Sequence, residues 1–174
     1  SSEQLGSGKG FSFLKDERLL MTYHPATKPV KDILRELTET ELADIIRRFG
    51  EERFAKRIAR AIKEFGQKKL IETSGELAAI IRQAVPGHYE RGRIHPATRT
   101  FMALRIYANH ELENLERLLQ RFYEVVQPGG RVAIIAFHSL EDRLVKNYFR
   151  RYAKEGKLKI LTKKPIVPTA EEIS

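Results

Sequence analysis

The sequence predicts an α/β chain in which a helical block, about Val30 to Val85, precedes an α-β-α-β run. Three observations predict it. Arg131-Val132-Ala133-Ile134-Ile135-Ala136-Phe137 is a nearly uninterrupted apolar run that follows a Pro128-Gly129-Gly130 turn and ends in His138-Ser139-Leu140-Glu141-Asp142-Arg143. Buried parallel strands read this way, and open α/β sheets bind ligands outside the carboxyl ends of their strands. Helical periodicity bounded by capping signals runs through the block before it. The third observation is composition: 174 residues, 41% hydrophobic and 32% charged, suit a globular chain rather than a disordered one.

The elements follow in order. Residues 1–29 read as loop, with Gly6, Gly8, Gly10, Pro25 and Pro29 and no sustained period. Thr38-Glu39-Thr40-Glu41 has capping-box form, Leu42, Ile45, Ile46 and Phe49 follow at helical spacing, and Gly50 reads as a stop. A helix from about Glu51 to Phe65 carries an apolar stripe of Phe54, Ile58, Ala61, Ile62 and Phe65. Arg53, Lys56, Arg57, Arg60 and Lys63 stand opposite, and Glu51-Glu52 lies at its N-terminus, where the dipole favours negative charge. Thr73-Ser74-Gly75-Glu76 is a second capping box, opening a helix towards Val85.

Pro96 starts one long helix whose apolar face is Leu112, Leu115, Leu118, Leu119, Phe122, Val125 and Val126. The strand Arg131–Phe137 comes next, then a helix opened by Ser139-Leu140-Glu141-Asp142, again in capping-box form. Leu158 to Leu161 reads as one more strand. Two strands cannot form a stable parallel sheet alone, so the chain reads as a fragment.

A formal charge of +9 and a pI near 9.8 point to a polyanionic partner, nucleic acid before an acidic membrane surface. The absence of cysteine removes disulfides, thiolate zinc sites and cysteine nucleophiles from this chain, and fits a reducing, cytoplasmic setting. The longest apolar run, Val132 to Phe137, is far too short to span a bilayer, so no membrane partner is expected.

Three stretches carry a resemblance. They are Gly10-Phe11-Ser12-Phe13; His95-Pro96-Ala97-Thr98-Arg99-Thr100-Phe101 running into Ala103-Leu104-Arg105-Ile106 and Asn109; and Gly129-Gly130-Arg131 through Phe137-His138-Ser139-Leu140-Glu141-Asp142-Arg143. Gly50-Glu51-Glu52-Arg53-Phe54-Ala55-Lys56-Arg57-Ile58-Ala59 joins them. Together they resemble the bacterial 16S ribosomal RNA (cytosine-N4)-methyltransferases.

The resemblance implies the C-terminal part of a Rossmann-like class I methyltransferase with an inserted all-helical substrate-recognition domain. It divides the chain into a cofactor-site loop at 1–29, the insertion at 30–93, and methyltransferase domain at 94–174. It implies S-adenosyl-L-methionine as cofactor, and as substrate a cytidine in the decoding region of 16S rRNA in the small ribosomal subunit. The glycine-rich cofactor loop and the acidic ribose-binding residue of the family have no counterpart in this sequence. A departure stands at Leu20-Met21-Thr22-Tyr23-His24, where the family carries an Asp-Met-Arg-Met-Asp run.

By the resemblance, Gln4 lies beside the adenosine end of the cofactor, with Ser2 and Ser1 as weaker candidates. His138 reads either as a contact to the target base or phosphate or as a satisfied structural histidine. Ser139 reads as a substrate contact or, more simply, a helix N-cap. His95 and Arg99 sit where a helix N-terminus and a guanidinium can hold phosphate; Arg105 reads as an ion-paired scaffold residue. Arg53, Lys56, Arg57 and Arg60 form the expected rRNA face, the alternative being an ordinary solvated side. Tyr89, between arginines, is a candidate for stacking on a splayed base or for folding back onto the core.

Methylating an exocyclic amine needs alignment rather than a covalent intermediate; no residue is singled out as catalytic. By itself the chain is expected to be inactive. A non-catalytic rRNA-binding module and one half of a split methyltransferase are the alternatives, and a homodimer through uncovered core is a further expectation.

Overall fold

In the computed structural model, residues 8–87, 89, 95–162 and 164–167 are described, and they fall into two units, Ser1–Glu111 and Leu112–Ser174. The first unit is built on helices α1 (Val30–Glu36), α2 (Glu39–Gly50), α3 (Ala55–Lys68), α4 (Ser74–Ala84) and α5 (Pro96–Ala108). The second holds α6 (Glu111–Val125), whose first residue ends the first unit, and α7 (Ser139–Lys154).

Both threonine capping boxes form as the sequence reads. Thr38 Oγ1 accepts from the Glu41 N–H while Glu41 accepts from the Thr38 N–H, and Thr73 and Glu76 repeat the exchange at α4. These bonds hold the Glu41 carboxyl below the usual range, through the Thr38 backbone N–H first. The apolar faces then close one core. Leu42 and Ile46 of α2, Ile58 and Ile62 of α3, Leu77 and Ile81 of α4, and Leu104 of α5 are all fully buried in it. Burying such side chains is worth about 1.5–3 kcal/mol each.

The segment before α1 is irregular but tightly held. Pro29 offers α1 no side-chain cap; instead the carbonyls of Leu20 and Leu19 accept from Val30 and Lys31 at 2.9 and 3.1 Å. At α4 the Ser74 hydroxyl accepts from the Glu17 N–H and donates to the Lys15 carbonyl, and Asp16 accepts from the Gly75 N–H. Leu19 and Met21 thereby reach the core fully buried, and Met21 takes a left-handed backbone at φ 51°.

Several expectations change. Gly50 is the last residue of α2 rather than its left-handed stop; Glu51 takes that conformation at φ 49°. Glycine is required by proximity, because a Cβ at position 50 would stand 2.7 Å from the Arg99 carbonyl oxygen of α5. In consequence α3 begins only at Ala55, with Glu51 and Glu52 lying before it.

The long helix from Pro96 is two helices, broken at Asn109-His110, where His110 adopts φ 51°. Asn109 ends α5 by bonding outside the helix, as described below.

At α7 the N-cap is His138 and not Ser139, which is the first helical residue. The His138 Nδ1 accepts from the Glu141 N–H at 3.3 Å, and Glu141 accepts from the Phe137 N–H at 2.8 Å. An imidazole thus does the work expected of the serine hydroxyl, one residue earlier.

Among the described residues no β-strand forms; the single ladder-like contact is an isolated bridge between Arg18 and Thr73. Arg131–Phe137 and Leu158–Leu161 are irregular. A strand needs a neighbour for its backbone N–H and C=O groups, and these residues supply none. The helical part of the expected architecture is visible; the sheet is not.

The second unit has a small aromatic core. Leu119 and Phe122 of α6 pack with Tyr148 and Tyr152 of α7, and Glu116 accepts from the Tyr148 hydroxyl at 2.8 Å. Leu118 and Val125, expected on the apolar face, are exposed. One facing helix covers too narrow a stripe to reach them.

Candidate nucleic-acid interface

The first turn of α3 and the loop before it assemble a cationic surface around an aromatic corner. Glu52 is buried to 1% exposure and uses its two carboxyl oxygens separately. Oε1 accepts from the Phe54 N–H at 2.8 Å, and Oε2 accepts from the Tyr89 hydroxyl at 2.7 Å. Phe54 and Tyr89 consequently meet edge to face, with centroids 5.0 Å apart and planes at 83°. Burial, then the bond to Glu52, pushes the Tyr89 phenol above its ordinary value.

Arg53 closes this corner from outside. Its guanidinium carbon lies 4.6 Å from the Phe54 centroid and 4.9 Å from that of Tyr89, while the residue remains exposed. Arg57 approaches Phe54 from the next turn at 6.0 Å. Lys56, Arg57 and Arg60 are exposed along the same helix. Among the described residues no carboxylate pairs with Arg53, Lys56 or Arg57, whereas Arg60 lies 3.6 Å from Glu39.

Lys63, read with these cations, belongs to the scaffold. Its ammonium donates to the carbonyls of Leu34, Arg35 and Leu37 at 2.9, 3.2 and 2.6 Å. Those carbonyls close the C-terminal end of α1, where a cation is favoured by the dipole and by orphan acceptors. Sequence spacing could not separate Lys63 from Lys56, seven residues earlier on one face. The difference depends on where α1 ends.

The other candidates are distributed as follows. His95 caps α5: its Nδ1 accepts from the Ala97 N–H at 3.1 Å and its ring stacks on Phe13 at 4.4 Å. Arg99 donates to the Glu51 carbonyl at 3.2 Å, tying α5 to the turn after α2. Arg105 forms a fork with Glu111, Nε to Oε1 at 2.9 Å and Nη2 to Oε2 at 3.1 Å, which is the scaffold role expected of it. His138 and Ser139 lie in the second unit at the start of α7, the imidazole 7% exposed. Gln4, Ser2 and Ser1 lie outside the described residues, as do Arg91 and Arg93 on either side of Gly92.

The departing loop Leu20–His24 is braced by α5. Asn109 Nδ2 donates to the Met21 carbonyl, and Asn109 Oδ1 accepts from the Tyr23 N–H. The Tyr23 hydroxyl donates to Glu111 at 3.1 Å, and its ring stacks on Phe11 at 5.2 Å.

The family model for the MraW methylase family matches residues 1–174. The chain belongs to the MraW methylase family. Among curated members, a protein from Persephonella marina named "Ribosomal RNA small subunit methyltransferase H" is 47% identical over 174 residues, covering 99% of this chain and 59% of the relative. A Sulfurihydrogenibium protein of the same name is 45% identical with the same coverage. One from Nostoc is 47% identical over 167 residues, 95% of this chain and 53% of the relative. The chain therefore spans about three fifths of the length of its MraW-family relatives. No described helix is long and apolar enough to cross a membrane.

Proposed function

We propose that this MraW-family protein, over the full length its relatives have, methylates the exocyclic N4 of a cytidine in the decoding region of small-subunit rRNA. The observation that carries the reading is the family match over 1–174 together with relatives near 45% identity named as small-subunit rRNA methyltransferases. Rossmann-like class I architecture, with residues 30–93 and their helices α1 to α4 inserted as the recognition domain, belongs to the same reading. The cytoplasm, where small subunits are assembled, is the compartment it implies.

Exposed Arg53, Lys56 and Arg57 suit an RNA substrate, because neutralised phosphates supply most of the affinity for a nucleic acid. S-adenosyl-L-methionine, when bound, supplies a sulfonium methyl group. Gln4, Ser2 and Ser1 are proposed as its contacts on the family resemblance; they lie outside the described residues, so no geometry is assigned to them. The chain contains no cysteine, and alignment of the amine for in-line displacement requires none. His138 and Ser139 are proposed on the substrate side. The His138 ring bonds through Nδ1 to the α7 backbone, which fixes its orientation.

The test is methylation of small-subunit RNA by the full-length protein with radiolabelled S-adenosyl-L-methionine, followed by nucleoside analysis. The label is expected in N4-methylcytidine. Label in 5-methylcytidine, in another base, or in none overturns the reading.

A further inference from the structure

The aromatic corner at the start of α3 does something a solvated charged face does not require. Exposed arginines ordinarily sample many rotamers. Arg53 instead lies within 4.6 and 4.9 Å of two perpendicular rings. Those rings are themselves fixed, since the Tyr89 hydroxyl and the Phe54 N–H are both held by the buried Glu52 carboxyl. Among the described residues no carboxylate competes for the guanidinium. Three layers thus support one cation: a buried acid, two aromatics, and an exposed guanidinium.

We propose that Arg53 is the stacking and bonding point for one unpaired nucleobase of the RNA substrate, with Lys56 and Arg57 holding adjacent phosphates. The inference rests on the RNA reading above and refines it to a residue and a ligand class. A guanidinium is planar and more weakly hydrated than an ammonium, so it can lie against a base while its N–H groups reach a phosphate or a base edge. Tyr89, read as a candidate either for stacking on a base or for folding back onto the core, has its hydroxyl engaged by Glu52 and a guanidinium over its ring. It is a positioning residue for Arg53. A duplex offers no free base face, so the site selects single-stranded or splayed RNA.

The experiment uses the 174-residue chain and a fluorescent unstructured oligoribonucleotide, compared with the same oligomer carrying one abasic position at each site in turn. Wild type is expected to prefer the intact oligomer at one position by about tenfold, the scale of one stacked base. Arg53→Lys keeps the charge; it is expected to abolish that preference while leaving the salt dependence of binding unchanged. Lys56→Ala is expected to do the reverse. Equal loss of affinity for intact and abasic oligomers in Arg53→Lys, or no loss, overturns the stacking role and leaves the RNA reading standing. Failure of wild type to bind either oligomer, or equal binding of intact and abasic oligomers at every position, overturns the stacking role; the methylation reading stands or falls on the full-length assay above. Thermal unfolding of each variant separates loss of the corner from loss of the fold.

Discussion

Asn109 Nδ2 donates to the Met21 carbonyl at 2.7 Å across 88 residues of chain, and the same amide nitrogen donates to the Arg105 carbonyl at 2.9 Å. Its oxygen accepts from Tyr23 at 2.9 Å. One carboxamide therefore ends α5 and fixes the backbone of the Leu20–His24 loop, where Met21 is held left-handed. Asn109→Ala takes the side-chain donor from the Met21 carbonyl and the acceptor from the Tyr23 N–H, while the Arg105 carbonyl keeps the backbone N–H of residue 109. It is expected to cost about 1–3 kcal/mol in urea unfolding. Asn109→Asp keeps the acceptor and loses the donor, so it should recover little.

Gly50→Ala tests the approach of α2 to α5. The added methyl meets the Arg99 carbonyl oxygen at 2.7 Å, and backbone cannot rotate away as a side chain would. Helix propensity favours alanine by about 1 kcal/mol, whereas overpacking costs about 1–3 kcal/mol. Net destabilisation is expected in thermal melting; a stabilised variant would show that α5 yields freely.

Lys63 and Lys56 should separate stability from RNA affinity. Lys63→Ala removes the donor to three carbonyls at the end of α1 and is expected to lower stability by about 1–3 kcal/mol. Lys56→Ala is expected to leave stability within about 0.5 kcal/mol. It should reduce the slope of log affinity against log salt by about 1. Equal effects of both substitutions on the salt slope would contradict the division.

The Tyr89 phenol titrates above its ordinary value, chiefly through burial and then through its bond to Glu52. A raised value in the folded chain means the proton is held more tightly there. The associated stability is fully present below the unfolded value of about 10 and is lost as pH rises through the folded one. Subtracting the absorbance titration of Tyr89→Phe from that of wild type should isolate a phenol ionising above that value. Coincidence with free tyrosine would show the corner is open.

The helical unit was legible because its signals are local. Thr38 with Glu41 and Thr73 with Glu76 are complete within four residues, and the apolar faces of α2 to α4 repeat at helical spacing. The break at Asn109-His110 was hidden because the apolar period continues across it; the cause is Met21, 88 residues away. Gly50 was read correctly as special and for the wrong reason, since chain neighbours cannot report an approaching Arg99 backbone. The corner of Arg53, Phe54 and Tyr89 escaped because Glu52 looked like a dipole-favoured surface acid. Nothing local marks it as buried. The strand reading of Arg131–Phe137 depends on partners in a sheet, and those are non-local by nature.

The six residues Val132-Ala133-Ile134-Ile135-Ala136-Phe137 contain no charge, proline or glycine, and Ile135 and Phe137 stand 79% and 87% exposed. That combination is the signature of segments that stack into cross-β fibres with a repeat of about 4.7–4.8 Å. Arg131, immediately before them, is the gatekeeper: in register, every added copy would bring another like charge beside the last. Aggregation of this 174-residue chain in concentrated solution is expected to be slower in buffers of low ionic strength, where the Arg131 charges repel one another furthest.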